Sequence, residues 1–330
     1  MTDQSTDFLA STWMLADDAL LKQGADWQKA GHGLAVAFVV RTWGSSPRQV
    51  GSIMLVRDDV QVAGSVSGGC IEGAVIDAAL ELIKAGGSQL LDFGVADETA
   101  WGIGLSCGGQ ISILIMAVSD DGFPPQLLSD AGKSLELRQP VSLQIPVKGG
   151  AARKSDRSLA ASVLEGDEFW FSQLPRPQVI IIGAVHISQH LSSMAAQSGF
   201  DVTVIDPRST FATAARFPGI KLVFEWPDIA LADIALDNET ALIALTHDPK
   251  IDDVALKMVL NKPLFHIACL GSRRTQASRL DRLAEAGFSS QETEKIKGPA
   301  GLDIGAKTPA EIAVSVLAEL VSVYRGKILK

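Results

Sequence analysis

The sequence predicts an α/β chain in two parts, an α+β unit first and a parallel-sheet, Rossmann-like domain second. Three observations carry this. Up to residue 174, short β-rich runs alternate with few helices and are joined by Gly/Ser loops. The prolines of Pro175-Arg176-Pro177 oppose regular structure and mark a linker. From residue 178 onward, apolar strands alternate with helical segments, the pattern of a parallel sheet with helices on both faces. The expected domains are therefore 1–174 and 178–330.

Each element follows from local pattern. Residues 8–30 read as a helix, with Leu9, Trp13, Leu15, Leu20 and Leu21 in an apolar stripe. The run from Val36 to Val40 is a strand that leads straight into a loop. Residues 52–56 and 60–63 flank Arg57-Asp58-Asp59, whose composition predicts a hairpin turn. Helical periodicity returns over 73–85 and stops at Gly86-Gly87. A strand at 111–115 follows, and alternating segments over 140–175 predict extra antiparallel strands. In the second part, strands are expected at 179–182, 202–205, 241–245 and 265–270, with a helix at 188–198. Thr308-Pro309-Ala310-Glu311 opens the last helix as a capping box with proline in its first turn.

Composition narrows the function classes. A chain of 330 residues is long enough for two domains with cores of their own. The N-terminus is polar and acidic, without the basic and apolar regions of a signal peptide. The longest aliphatic run, 179–185, is far shorter than the roughly 20 residues of a membrane helix. A net charge of −9 without a basic stripe argues against nucleic acid. Three scattered cysteines make no disulfide framework, so a reducing cytoplasm is the expected setting.

Chemistry concentrates in three loops, Gly44-Ser45-Ser46-Pro47-Arg48, Gly64 to Gly73, and Gly102 to Gly109. Small residues let backbone N–H groups approach a bulky anion, and two of the three cysteines, Cys70 and Cys107, lie in these loops. Cys70 precedes a predicted helix whose positive end favours a thiolate, and Glu72 in the first turn complements that dipole with or without a ligand. A small buried hydrophobe is the alternative role for either cysteine. Arg48 offers a guanidinium fork suited to phosphate or carboxylate, or is an ordinary surface arginine. Two cysteines 37 residues apart without a CxxC partner argue against zinc. Cys269, inside an apolar strand, belongs to the core, and His32 and His266 read as structural.

The second part opens like a dinucleotide-binding unit, but Gly183-Ala184-Val185-His186-Ile187-Ser188 keeps only the first glycine of Gly-x-Gly-x-x-Gly. Val185 stands where the pyrophosphate needs bare backbone. Asp206 lies at the position of the ribose-binding acid, with Arg208 beside it. The turn therefore serves either the fold alone or a nucleotide. His186, at a helix N-terminus, and His247, at a strand end, suit contacts to an anion or plain surface roles. A metal on His186 and His190 lacks a third ligand.

These residues resemble the XdhC/CoxI family, accessory factors of xanthine dehydrogenase and related molybdenum hydroxylases. The resemblance rests on Gly44 to Arg48, Gly64 to Glu72 and Leu105 to Gly109, and on Asp206-Pro207-Arg208, Gly271 to Arg274 and Gly301 to Pro309 in the second part. It implies an XdhC/CoxI-type first domain and a Rossmann-like second one. It also implies a chaperone that holds molybdenum cofactor (molybdopterin) in its sulfurated form and passes it to an apo molybdenum hydroxylase. The cofactor-binding set is then Ser45, Ser46, Arg48, Ser67, Gly68, Gly69, Cys70, Glu72, Cys107, Gly108, Gly109, Gly183, His186 and Asp206, with Cys70 and Cys107 as metal-contacting thiols. A cysteine desulfurase and a second copy of the chain are the further expected partners. The alternatives are an NAD(P)-dependent oxidoreductase and, more weakly, a second domain that only docks partner proteins.

Overall fold

The computed structural model describes residues 17–44, 48–94 and 109–326. The chain divides into two units, Met1–Pro175 and Arg176–Lys330.

The first unit is built on an antiparallel sheet of order β3-β2-β1-β5-β4. Its strands are β1 (Leu34–Trp43), β2 (Ile53–Arg57), β3 (Val62–Gly64), β4 (Ser88–Phe93) and β5 (Gln110–Ala117). The β2–β3 turn falls at the expected Asp58-Asp59, where the Arg57 amide donates to the Gln61 carbonyl at 2.8 Å. Helix α1 (Asp17–Lys29) covers the described part of the expected 8–30 helix; residues 8–16 lie outside the described residues. Successive β1 side chains enter opposite cores. Leu34, Val36, Phe38 and Val40 meet Leu20 and Leu21 of α1 and Leu128 of α3 (Pro125–Glu136). Ala35, Ala37 and Val39 pack with Val75 and Ala79 of α2 (Glu72–Ala85). Burial on both faces is why this strand reads as an unbroken apolar run.

Residues 140–175 supply the expected extra strands, β6 (Val141–Pro146), β7 (Arg153–Lys154), β8 (Val163–Glu165) and β9 (Glu168–Gln173), in the order β7-β6-β9-β8. Phe169 and Phe171 of β9 close on Phe38, with ring centroids 6.1 and 5.2 Å away. Truncating Phe38, which is fully buried here, costs about 3–5 kcal/mol.

The second unit is a parallel sheet of order β12-β11-β10-β13-β14-β15. In chain order it runs β10 (Gln178–Ile182), α4 (His186–Gln197), β11 (Asp201–Ile205), β12 (Lys221–Val223), α5 (Pro227–Ala232) and β13 (Thr240–Ala244). Then follow α6 (Pro249–Val259), β14 (His266–Cys269), α7 (Arg273–Glu285), α8 (Ser290–Thr293), β15 (Ile296–Lys297) and α9 (Pro309–Tyr324). Val179 and Ile181 face α4 and α9, while Ile180 and Ile182 face α5 and α6. The winding reverses between β10 and β13, which makes their carboxyl ends the topological switch point. Thr308 and Glu311 form the expected capping box of α9. His266 is buried and lies 3.1 Å from Glu319, tying β14 to α9. Among the described residues, no helix is long and apolar enough to cross a membrane.

Candidate functional site

Register brings the Gly/Ser loops to one end of the first sheet. Trp43 at the end of β1 pairs with Gln110 at the start of β5, and Gly64 at the end of β3 pairs with Met54 near the start of β2. A Cβ on Gly44 would stand 3.4 Å from the Cα of Gly109, so the first and third loops are rooted side by side. Ser45, Ser46, Cys107 and Gly108 lie outside the described residues. Arg48 joins the first loop to the second: its Nε donates to the Ser65 carbonyl at 2.9 Å.

The second loop is a cradle that already holds an anion. Gly68 and Gly69 adopt φ of +84° and +116°, left-handed conformations that turn consecutive amides inward. What those amides meet is the carboxylate of Glu72. Its Oε1 accepts from the amides of Ser67 (2.9 Å) and Gly68 (3.0 Å) and from Ser65 Oγ (2.8 Å). Its Oε2 accepts from the amides of Gly69 (2.9 Å) and Ile71 (3.3 Å) and from Ser67 Oγ. Ser67 Oγ in turn accepts from the amides of Cys70 and Ile71, both at 3.2 Å. Burial pushes the Glu72 carboxyl upward, but the Ser67 and Ser65 hydroxyls and the loop amides outweigh it, leaving the pKa at about 2. Glu72 is therefore ionised at neutral pH and fixes the loop that carries Cys70. The thiol of Cys70 is exposed just before α2. Sequence reasoning saw the cradle and not its occupant, and it overlooked Ser65, which serves both Arg48 and Glu72.

The turn of the second unit is closed in a related way. Gly183 has φ +104°, and a Cβ there would lie 2.4 Å from Thr246 Cγ2, so close packing against the β13 end requires glycine. The next amide, Ala184, donates to Asp206 Oδ2 at 2.7 Å. Asp206 is fully buried and also accepts from the Arg208 amide, Nε and Nη2 at 2.9, 2.9 and 2.8 Å. Burial raises its pKa, yet the Arg208 guanidinium and the Ala184 amide hold it below the ordinary value. The carboxylate expected to meet a ribose thus holds the turn and an arginine.

His186 begins α4 and is exposed, as is His190 one turn on. His247, exposed beyond β13, has φ +63°, and its amide donates to Asp252 Oδ2 at 3.1 Å. Asp252 also takes the Thr246 hydroxyl at 2.6 Å, which secures this strained turn. Cys269 is buried in β14, where burial pushes its thiol up to about 12, the inert core cysteine expected from sequence. Among the described residues, no cluster of three or more His, Cys, Asp or Glu is placed to hold a metal ion.

Comparison with known proteins agrees over almost the whole chain. The molybdenum cofactor insertion chaperone PaoD of Escherichia coli is 30% identical over 313 residues, 94% of this chain and 90% of that protein. A Bacillus subtilis protein described as a probable xanthine dehydrogenase subunit is 28% identical over 92% of this chain and 95% of its own length. A solved structure described as a xanthine dehydrogenase from Bacillus halodurans has the same fold, with a TM-score of 0.73 at 24% identity over 95% of this chain and 97% of that one. Residues 179–320 match the XdhC Rossmann domain, and residues 27–94 match the XdhC and CoxI family. This chain belongs to the XdhC/CoxI family.

Proposed function

We propose that this chain is a maturation factor that carries molybdenum cofactor as cargo, in its sulfurated form, and delivers it to an apo molybdenum hydroxylase. The observation that carries the reading is the exposed thiol of Cys70, held on a loop that Glu72 fixes from within and that Arg48 braces from the first loop. A cysteine sulfur is a soft donor suited to a sulfur-rich molybdenum centre. Arg48 supplies a cation for the cargo phosphate, because the amides of Ser67, Gly68 and Gly69 are engaged by Glu72. The resemblance to a chaperone that inserts this cofactor supports the assignment. A cysteine desulfurase as sulfur source, a homodimeric assembly and Cys107 as a second thiol belong to the same proposal.

The residues divide the work. Glu72 stays ionised and orders the loop, Cys70 presents sulfur, and Arg48 meets negative charge. An NAD(P)-dependent oxidoreductase fits less well, because Ala184 gives its amide to Asp206 and Val185 shields the turn. Anaerobic purification followed by molybdenum and pterin analysis tests the reading. Stoichiometric molybdenum and pterin on the parent protein, released to an apo-hydroxylase, is the expected result. A protein that neither carries nor takes up the cofactor refutes it.

A further inference from the structure

At the sheet end that carries the Gly/Ser loops lies a cleft of about 240 Å³, lined by Arg41, Trp43, Asp92, Phe93, Gln110 and Ser112 among others. No motif pointed to it, and Cys70 and Arg48 are not part of it. We propose that this cleft receives the pterin ring of the cargo, with the Asp92 carboxylate reading the 2-amino-4-oxo edge and the Trp43 indole covering the ring face. The inference rests on the cargo assignment above and adds to it where the organic half of the cofactor sits.

Size comes first. The volume is below the roughly 300–1,000 Å³ of sites for drug-sized ligands, which suits one fused bicycle and not a dinucleotide. Chemistry comes next. Trp43 ends β1 with 70% of its surface exposed, and a single exposed aromatic needs no explanation by itself. Here, however, the indole lines a concave site together with a carboxylate and an amide, the combination that stacks on and reads a polar heterocycle. Asp92 is held in place from one side. Ser112 Oγ donates to its Oδ1, and Arg41 Nη2 reaches the same oxygen at 3.4 Å. A carboxylate has about four acceptor positions. Among the described residues only Oδ1 is engaged, which leaves Oδ2 for ligand N–H groups. A pterin offers its 2-amino group and the adjacent ring N–H along one edge, and the Gln110 amide supplies a donor for the 4-oxo group.

Location completes the argument. Trp43 precedes Gly44 and Gln110 follows Gly109, so the cleft adjoins the roots of the first and third loops. A ring seated there leaves the sulfur- and phosphate-bearing part of the cargo on the side of the loops.

Guanine carries the same 2-amino-4-oxo edge, and lumazine lacks the amino group. Fluorescence titration of the full-length protein with free pterin, guanosine and lumazine therefore reads the cleft directly, alongside anaerobic binding of the whole cofactor. The parent is expected to bind pterin and quench its emission, and to bind lumazine at least about tenfold more weakly. Asp92→Asn, which sets an amide donor against the ligand N–H groups, is expected to lose that discrimination and about tenfold in pterin affinity. Trp43→Ala is expected to weaken binding of pterin and lumazine alike. Parent protein that ignores free pterin, or prefers guanosine to it, overturns the proposal. Asp92→Asn protein that binds the whole cofactor like the parent overturns the pterin site while the cargo assignment stands. Parent protein that takes up no cofactor overturns both.

Discussion

In the first unit the carboxylate that fills the glycine turn comes from the helix that turn opens; in the second it comes from the end of a neighbouring strand. Glu72 takes six donors from its own loop, whereas Asp206 takes one turn amide and gives its other acceptor positions to Arg208. The same device thus leaves different chemistry outside its reach. Beside Glu72 stands an exposed thiol; around the Gly183 turn stand the imidazoles of His186 and His247. The glycines shape both turns, and the residues next to the internal anion set what each turn presents to a ligand.

Removing the internal anions separates the two turns most sharply. Glu72→Ala leaves several inward amides without a partner and is expected to destabilise the first unit by about 3 kcal/mol or more. Peptide-resolved hydrogen exchange checks this: protection should fall across residues 64–85 and hold across the second unit. Loss of protection in both units alike would mean that Glu72 does not act locally.

Acid probes the same group without mutation. The folded pKa of about 2 lies below the ordinary 4.5, so the contribution of Glu72 is full above pH 4.5 and is lost as pH falls through about 2. The difference corresponds to about 3 kcal/mol. Denaturant unfolding of the parent should weaken over this window, and Glu72→Gln should flatten that part of the curve. An unchanged acid limb in Glu72→Gln would contradict the assignment.

A smaller effect is expected from Asp206→Asn, about 2 kcal/mol, because Arg208 is partly solvated and recovers hydration when its partner is neutralised. The alkylation rate of Cys70 should be unchanged in this variant; a changed rate would break the separation between the two turns. Smallest of all, Val185→Gly opens the turn while Asp206 still holds the Ala184 amide. Calorimetry should show NAD(P) affinity rising by less than about tenfold from a weak base. Micromolar NAD(P) binding by the parent would instead favour the oxidoreductase reading.

Strongly patterned segments were legible in the sequence, and edges were not. The strand at 36–40, the hairpin at Asp58-Asp59, the buried strands of the parallel sheet and the capping box at Thr308 all follow from periodicity or turn chemistry. Strand β4 escaped because it lies at the sheet edge, where its exposure does not follow a clean two-residue repeat. Strands β12 and β15, of three and two residues, are too short to show a period at all. At the site, glycines announced a cradle, but the occupant was hidden because a glutamate in a first helical turn looks like an ordinary dipole partner. The cleft at Trp43 and Asp92 was invisible for another reason. Its residues come from β1, β4 and β5 and meet only through strand pairing.

Anaerobic equilibrium binding of molybdenum cofactor to the parent and to Cys70→Ala tests the central claim most directly. Alanine keeps the Glu72-filled loop, since the Cys70 amide still donates to Ser67 Oγ, and removes only the sulfur. The account predicts tight binding by the parent and a loss of at least about tenfold in the variant, with an unchanged unfolding midpoint. Equal affinity in the two proteins would show that the exposed thiol does not hold the cargo.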